Sequence, residues 1–135
     1  MRATFLVLSM AFAVPAAAQD IDNGQGLYMS RCAACHGEAA MGDGAMAALL
    51  TIPTPDLTQL AARNQGDYPR LAVVRAIDGE PLLRGHGGGG PMPVFGPVLG
   101  GGSAVLDGPD GSILETSRDV LDIALYIETL QGVGG

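Results

Sequence analysis

The clearest hydrophobic pattern lies near the C-terminal end of the chain, in the stretch "TSRDVLDIALYIETLQG". Its apolar residues recur at intervals of three and four, which places them on one face of an amphipathic helix. Thr116 or Ser117 can cap the start of this helix, and Gly132 is the expected stop. The residues on the apolar face are Val120, Ile123, Ala124, Ile127 and Leu130.

Three shorter segments with helical patterns precede the C-terminal one. The first can be capped by one of the polar residues within 20–23, the second opens on Asp56, and the third has Pro69 in its first turn and Gly79 as its stop. No segment shows the strict alternation of a half-buried strand. The pattern therefore predicts an all-α fold with long Gly/Pro-rich loops. The helical segments span residues 20–32, 56–64 and 68–79.

Residues 1–18 have the pattern of a secretory signal peptide. Arg2 precedes an uncharged apolar run that ends in three alanines, and cleavage is expected after about Ala18. The run is shorter than the roughly 20 residues that a membrane-spanning helix needs, so we expect no stable membrane insertion after cleavage. Residues 19–135 would then form a single exported domain.

The composition of this domain limits the classes of partner that it can bind. It also indicates a core that side chains alone do not fill. The chain has no lysine, and its formal net charge of −7 becomes −8 when Arg2 leaves with the leader. Such a surface repels nucleic acid and favours partner proteins with a basic docking face. Aromatic side chains are few and tryptophan is absent, so side chains alone would underfill a core of this size. A bound apolar group could occupy the remaining volume.

The stretch "RCAACHG" places both cysteines of the chain within one turn and a histidine directly after them. A disulfide would close a very small loop, a thioredoxin-like pair needs a βαβ setting, and a zinc site needs a fourth ligand where only His86 remains. The Cys-x-x-Cys-His spacing instead fits covalent haem. We expect one haem c, with thioethers to Cys32 and Cys35 and with His36 as the proximal iron ligand.

The distal iron ligand has to come from another part of the chain. Met92 lies in "GPMPVFG", where Pro91 and Pro93 restrict the backbone and can hold a weak thioether ligand in place. His86 is the alternative, because two imidazoles also form a stable six-coordinate site. The remaining methionines lie too close to the motif to reach the opposite face of the iron easily: Met29, Met41 and Met46.

These features together resemble class I cytochromes c, the small monohaem electron carriers of the bacterial periplasm. The resemblance covers the expected mature chain in the family's order: "G..LYMSRCAACHG", "PTPDLT", "PMPVFG" and "VLDIALYIETLQ". It implies a small cytochrome c fold of three to five short helices wrapped around one covalently bound haem. It also implies that the first and last helices cross, with Gly24 and Tyr28 against Ile123 and Tyr126.

The resemblance also implies a proline carbonyl that accepts a hydrogen bond from the proximal histidine, and Pro55 fits this place best, with Pro53 as the alternative. The chain departs from the mitochondrial type by lacking docking lysines. It also has a Gly-rich insertion at residues 98–112, which could cover a haem edge but which we expect to be a mobile loop. The arginines that could pair with haem propionates are Arg70, Arg75 and Arg84.

The expected function is one-electron transfer by a periplasmic carrier, with no catalysis by the polypeptide itself. Two other functions fit the same motifs. The chain could be the cytochrome subunit of a larger periplasmic dehydrogenase or oxidase, which predicts a stable complex. It could also be a gas sensor or peroxidase-like haem protein, which predicts that carbon monoxide binds the reduced form readily.

Overall fold

The structure is a computed structural model that describes residues 20–79 and 93–132. The expected leader and its expected cleavage site, together with Arg84, His86, Pro91 and Met92, lie outside these residues. The described helices are α1 (Ile21–Arg31), α2 (Ala33–His36), α3 (Leu60–Arg63), α4 (Arg70–Asp78) and α5 (Arg118–Thr129). Short 3-10 turns occur at Ala47–Leu49, Leu57–Gln59 and Gly96–Val98, and two strands, β1 (Ser103–Asp107) and β2 (Ile113–Ser117), precede α5.

Helices α1 and α5 form the centre of the fold. Gly24 allows the two backbones to meet, because a Cβ at this position would clash with the carbonyl oxygen of Asp122. One turn later, the ring of Tyr28 packs against that of Tyr126 with centroids 5.4 Å apart. Ile123 is fully buried at the same crossing. The crossing implied by the resemblance is therefore confirmed.

Local sequence signals set the limits of most helices. Ser117 caps α5 by accepting a hydrogen bond from the backbone N–H of Val120, and Gly79 ends α4 in the left-handed conformation. Asp56 accepts a hydrogen bond from the N–H of Thr58, but the segment behind it forms a 3-10 turn followed by the short α3. The four predicted helical segments are thus confirmed, the second of them in a tighter form.

The described part of the chain contains one pair of strands that the sequence pattern did not indicate. Strands β1 and β2 pair antiparallel, with Ser103 opposite Ser117 and Asp107 opposite Ile113. The inner face of this hairpin buries Ala104 and Thr116. The outer face carries the exposed Val105 and Ile113, so both faces include apolar residues and the expected alternation is lost.

The Gly-rich insertion contributes β1 and the hairpin turn, where a plain loop was expected. The hairpin packs against α4 and α5, beside the ion pair between Arg70 and Glu128, whose charged atoms are 2.6 Å apart. This side of α4 carries Leu71 and Arg75 and faces away from the cleft described next. The insertion therefore covers no part of that cleft among the described residues.

Candidate functional site

An apolar cleft of about 240 Å³ lies between the Cys-x-x-Cys-His motif and helices α3, α4 and α5. Four residues of one α4 face form one wall, and two isoleucines of α5 form the floor. Nearly the whole lining is carbon, which suits a flat apolar ligand better than a polar substrate. The residues that line the cleft are Cys32, His36, Pro55, Leu57, Leu60, Pro69, Ala72, Val73, Ala76, Ile77, Ile123 and Ile127.

The cysteine motif forms the other side of this cleft. Cys32 sits at the break between α1 and α2 and is half-buried, and Cys35 lies on α2. His36 ends α2 and is only 3% exposed. The break between the two helices turns the motif toward the cleft, so that Cys32 and His36 both line it.

The segment after the motif is joined to α2 by backbone hydrogen bonds. The N–H groups of Gly42 and Gly44 donate to the carbonyls of His36 and Cys35 at 2.8 and 3.1 Å. A side chain at Gly44 would press on the carbonyl of Ala34, since its Cβ would lie 2.5 Å from that oxygen. These glycines hold the motif in place, and sequence reasoning missed them because their role depends on contacts between backbones.

His36 is oriented by Pro55. The Nδ1 atom of His36 lies 3.3 Å from the Pro55 carbonyl oxygen. That oxygen can only accept a hydrogen bond, so Nδ1 carries the proton and the lone pair of the ring is on Nε2. Burial lowers the pKa of His36, and the hydrogen bond to Pro55 opposes this shift. Of the two candidate prolines, Pro55 is the one whose carbonyl contacts His36.

Tyr28 supports the turn that follows His36. Its buried hydroxyl donates a 2.7 Å hydrogen bond to the carbonyl of Gly37. Burial raises the pKa of Tyr28 well above its usual value, so the hydroxyl remains a donor at physiological pH. The sequence marked Tyr28 as a helix-packing residue but gave no sign of this hydrogen bond.

The burial of Cys32 does not favour redox chemistry of its thiol. Both thiols are free, and burial, with a smaller contribution from Cys35, raises the pKa of Cys32 to about 11. A thiol with this pKa is a poor nucleophile near pH 7. Among the described residues, no three His, Cys, Asp or Glu side chains come together as a metal site would require.

The donor set and the lining of the cleft fit haem. Two thiols within one turn can form thioethers to one edge of a porphyrin, and the imidazole that follows has its lone pair on the nitrogen suited to iron. The apolar walls match the porphyrin faces. Cys32, Cys35 and His36 could therefore hold the group, with Pro55 as the second-sphere acceptor.

The other candidate ligands do not line the cleft in the described part of the chain. Met29, Met41 and Met46 are 42–45% exposed, and none of them belongs to the cleft lining. Among the candidate propionate partners, Arg70 is paired with Glu128 and Arg75 also stands outside the lining. Met92, His86 and Arg84 lie outside the described residues.

A small helical fold in which Cys32 and His36 line an apolar cleft, with Cys35 on the same short helix as His36, is typical of an electron-transfer haem protein. The comparison with protein families identifies the family. The model for the family described as "Cytochrome c" matches residues 21–131, and the chain belongs to this family. Its members bind haem c covalently through cysteines at this spacing. None of the curated proteins compared with the chain matches it significantly. No helix in the described ranges is both long and apolar enough to cross a membrane.

Proposed function

We propose that this cytochrome c is a periplasmic one-electron carrier with a single haem c and His/Met axial ligation. Cys32 and Cys35 form the thioethers, His36 is the proximal ligand and Met92 the distal ligand. The orientation of His36 by Pro55 inside an apolar cleft is the observation that carries this proposal. The presence of one Cys-x-x-Cys-His motif supports one haem.

The residues of the chain hold the cofactor and keep its surroundings constant. When bound, haem supplies an iron that exchanges one electron between two oxidation states. The hydrogen bond from Nδ1 of His36 to the Pro55 carbonyl keeps the imidazole in one tautomer. It also makes Nε2 a stronger electron-pair donor. Apolar residues such as Val73 and Ile127 exclude water, which reduces the rearrangement of the surroundings when the charge changes.

The assignment of Met92 rests on its sequence setting and on the position of the other methionines. The three methionines of the described chain are exposed and stand outside the cleft lining. Met92 is flanked by prolines that limit its backbone, which favours retention of a weak thioether ligand. His86 remains the alternative ligand from the same part of the sequence.

Optical spectroscopy of the purified ferric holoprotein tests the distal ligand. We expect a weak far-red band, characteristic of Met–Fe(III) ligation, that disappears in Met92→Ala and persists in the matched control Met46→Ala. Persistence of the band in Met92→Ala would refute the assignment. Absence of the band from the parent, with a spectral change in His86→Ala, would assign His86 instead.

Carbon monoxide distinguishes the carrier from a gas-binding protein. With both axial positions occupied, the reduced parent should bind carbon monoxide poorly at neutral pH, and Met92→Ala should bind it readily. Ready binding by the parent would favour the sensor or peroxidase-like alternative.

Mass spectrometry of the protein exported by an expression host tests the leader and the number of haems together. The expected mass is that of residues 19–135 plus one haem. A mass that includes residues 1–18 would refute cleavage at Ala18, and two haem masses would refute the monohaem proposal.

The partner is proposed to be a redox protein with a basic docking face, because the mature chain is strongly acidic. Electron transfer to a basic redox protein should slow as salt increases, since screening removes the long-range attraction. A rate that rises with salt would contradict the proposal. Co-elution of the native protein with a catalytic subunit would instead favour the dedicated-subunit alternative.

A further inference from the structure

Three chain segments meet at Asp78, the last residue of α4. The hydroxyl of Thr116, on the inner face of the hairpin, donates a 2.7 Å hydrogen bond to Oδ2 of Asp78. Gly96 packs closely against the same residue, because a Cβ there would lie 2.8 Å from the carbonyl oxygen and 2.9 Å from Oδ1 of Asp78. The N–H of Phe95 also donates to the carbonyl of Ile77 at 3.3 Å. We call this set of contacts the α4 junction.

The chain just before residue 80 and the chain just after residue 92 meet at the α4 junction. The chain leaves α4 through Gly79 and returns through Pro93 to Gly96. These ends touch each other, since a side chain at Gly79 would clash with Val94. Ends that are fixed in this way reduce the conformational freedom of the segment between them.

Thr116 reaches the junction from the face of α4 that points away from the cleft. The cleft wall is built from Val73, Ile77 and their neighbours, whereas Thr116 contacts the carboxylate of Asp78 and stands outside the cleft lining. Thr116 is 8% exposed, so its hydrogen bond is shielded from water. The contact with Asp78 therefore gives Thr116 a route to the cleft through the end of α4.

We propose that Thr116 is a positioning residue for the distal ligand: its hydrogen bond to Asp78 ties the hairpin to the α4 junction and so fixes the base of the segment that carries Met92. This inference rests on the proposed ligation by Met92. A neutral thioether binds iron weakly, and its retention depends on how little freedom its chain segment has when detached. The hairpin, whose first strand and turn come from the Gly-rich insertion, then acts as a brace for ligation.

Competition with imidazole measures how firmly the distal ligand is held. We would titrate the ferric holoprotein with imidazole and follow the far-red band in Thr116→Val, Thr116→Ser and the control Ser103→Ala. Ser103 donates a 2.7 Å hydrogen bond to Glu115 on the exposed face of the hairpin, away from Asp78. Loss of the Thr116 hydrogen bond should raise the apparent imidazole affinity about five- to tenfold, while Thr116→Ser and Ser103→Ala should stay within about twofold of the parent.

The same variants in a Met92→Ala background show whether the effect passes through the ligand. There the distal position is already open, so Thr116→Val should leave the imidazole affinity unchanged. An equal increase in both backgrounds would indicate general loosening of the cleft and would overturn the proposal. An unchanged affinity in Thr116→Val with an intact far-red band would also overturn it.

The two proposals fail in different ways. Persistence of the band in Met92→Ala refutes ligation by Met92 and, with it, the positioning role. A normal response of Met92→Ala combined with an inert Thr116→Val refutes only the positioning role. If Thr116→Val does not fold, Thr116→Ala removes the same hydrogen bond and is judged by the same two outcomes.

Discussion

Tyr28 is fully buried between α1 and α5, and its hydroxyl donates a hydrogen bond to the turn that follows His36. In Tyr28→Phe, the Gly37 carbonyl would lose a buried hydrogen bond while the ring contact with Tyr126 remains. We expect the free energy of unfolding of the holoprotein to fall by about 1–2 kcal/mol. Denaturant unfolding followed by circular dichroism measures this change.

Tyr126→Phe is the matched control for this prediction. Tyr126 belongs to the same pair of rings, but its hydroxyl has no hydrogen-bond partner among the described residues. Its change should therefore cost much less than that of Tyr28→Phe. Equal losses in the two variants would show that the hydrogen bond to Gly37 contributes little.

At single positions, the residues that the sequence singled out are those whose chemistry is carried by the residue type. Cys32 and His36 line one apolar cleft, and the Pro55 carbonyl contacts the imidazole. Tyr28 and Gly44 were missed because their roles come from backbone partners, which a pattern of side chains does not reveal. The distal ligand remains a prediction.

At the scale of elements, two glycines of α1 provide an internal comparison. A Cβ at Gly24 would clash with the carbonyl of Asp122 on α5, whereas a Cβ at Gly26 has nothing within 4 Å. Gly24→Ala should lower the free energy of unfolding by about 1–3 kcal/mol because the helices must separate. Gly26→Ala should raise it by about 0.5–1 kcal/mol because alanine favours the helix. Thermal unfolding of both variants tests the helix crossing, and equal effects would contradict it.

The cap formed by Asp56 gives a pH-dependent prediction. The hydroxyl of Thr58, and to a smaller extent its N–H, donate to the carboxylate and hold the pKa of Asp56 below its usual value. A carboxylate with a lowered folded-state pKa adds stability above its unfolded pKa, and this stability is lost as the pH falls through the folded-state pKa. Asp56→Ala should therefore cost about 1 kcal/mol at pH 7 and progressively less below about pH 4.

Urea unfolding at pH 7 and pH 3 tests this dependence, with Asp67→Ala as the control. Asp67 is an exposed acid near the end of the same region. Its replacement should have a small effect that changes little between the two pH values. A cost of Asp56→Ala that is the same at both pH values would contradict the charged cap.

Helices were predictable because their signals are local, whereas the hairpin was not. Ser117, Gly79 and the apolar period of α5 each act within a few residues. The strands carry exposed apolar side chains at Val105 and Ile113, and their placement depends on packing against α4 and α5. This information is spread over distant parts of the chain, so a short window of sequence does not contain it.

At the scale of the whole molecule, the cleft predicts that folding depends on haem. Leu57, Leu60 and Val73 line a cleft that cuts into the core. In the double variant Cys32→Ala/Cys35→Ala, which has no thioethers, we expect loss of bound haem and a large loss of helical signal in far-ultraviolet circular dichroism. A haem-free protein with the helical content of the parent would contradict this prediction.

The tip of the hairpin has a practical consequence for electrical measurements. Residues 109–111 are exposed at a turn closed by the hydrogen bond from Gly108 to Ser112, and the hairpin packs on the side of α4 opposite the cleft. A thiol introduced by Asp110→Cys would tether every molecule to a gold electrode in the same orientation. Electrons that pass between the haem iron and the gold would then have to cross the hairpin and α4. The hairpin would therefore add a measurable resistance to electron transfer.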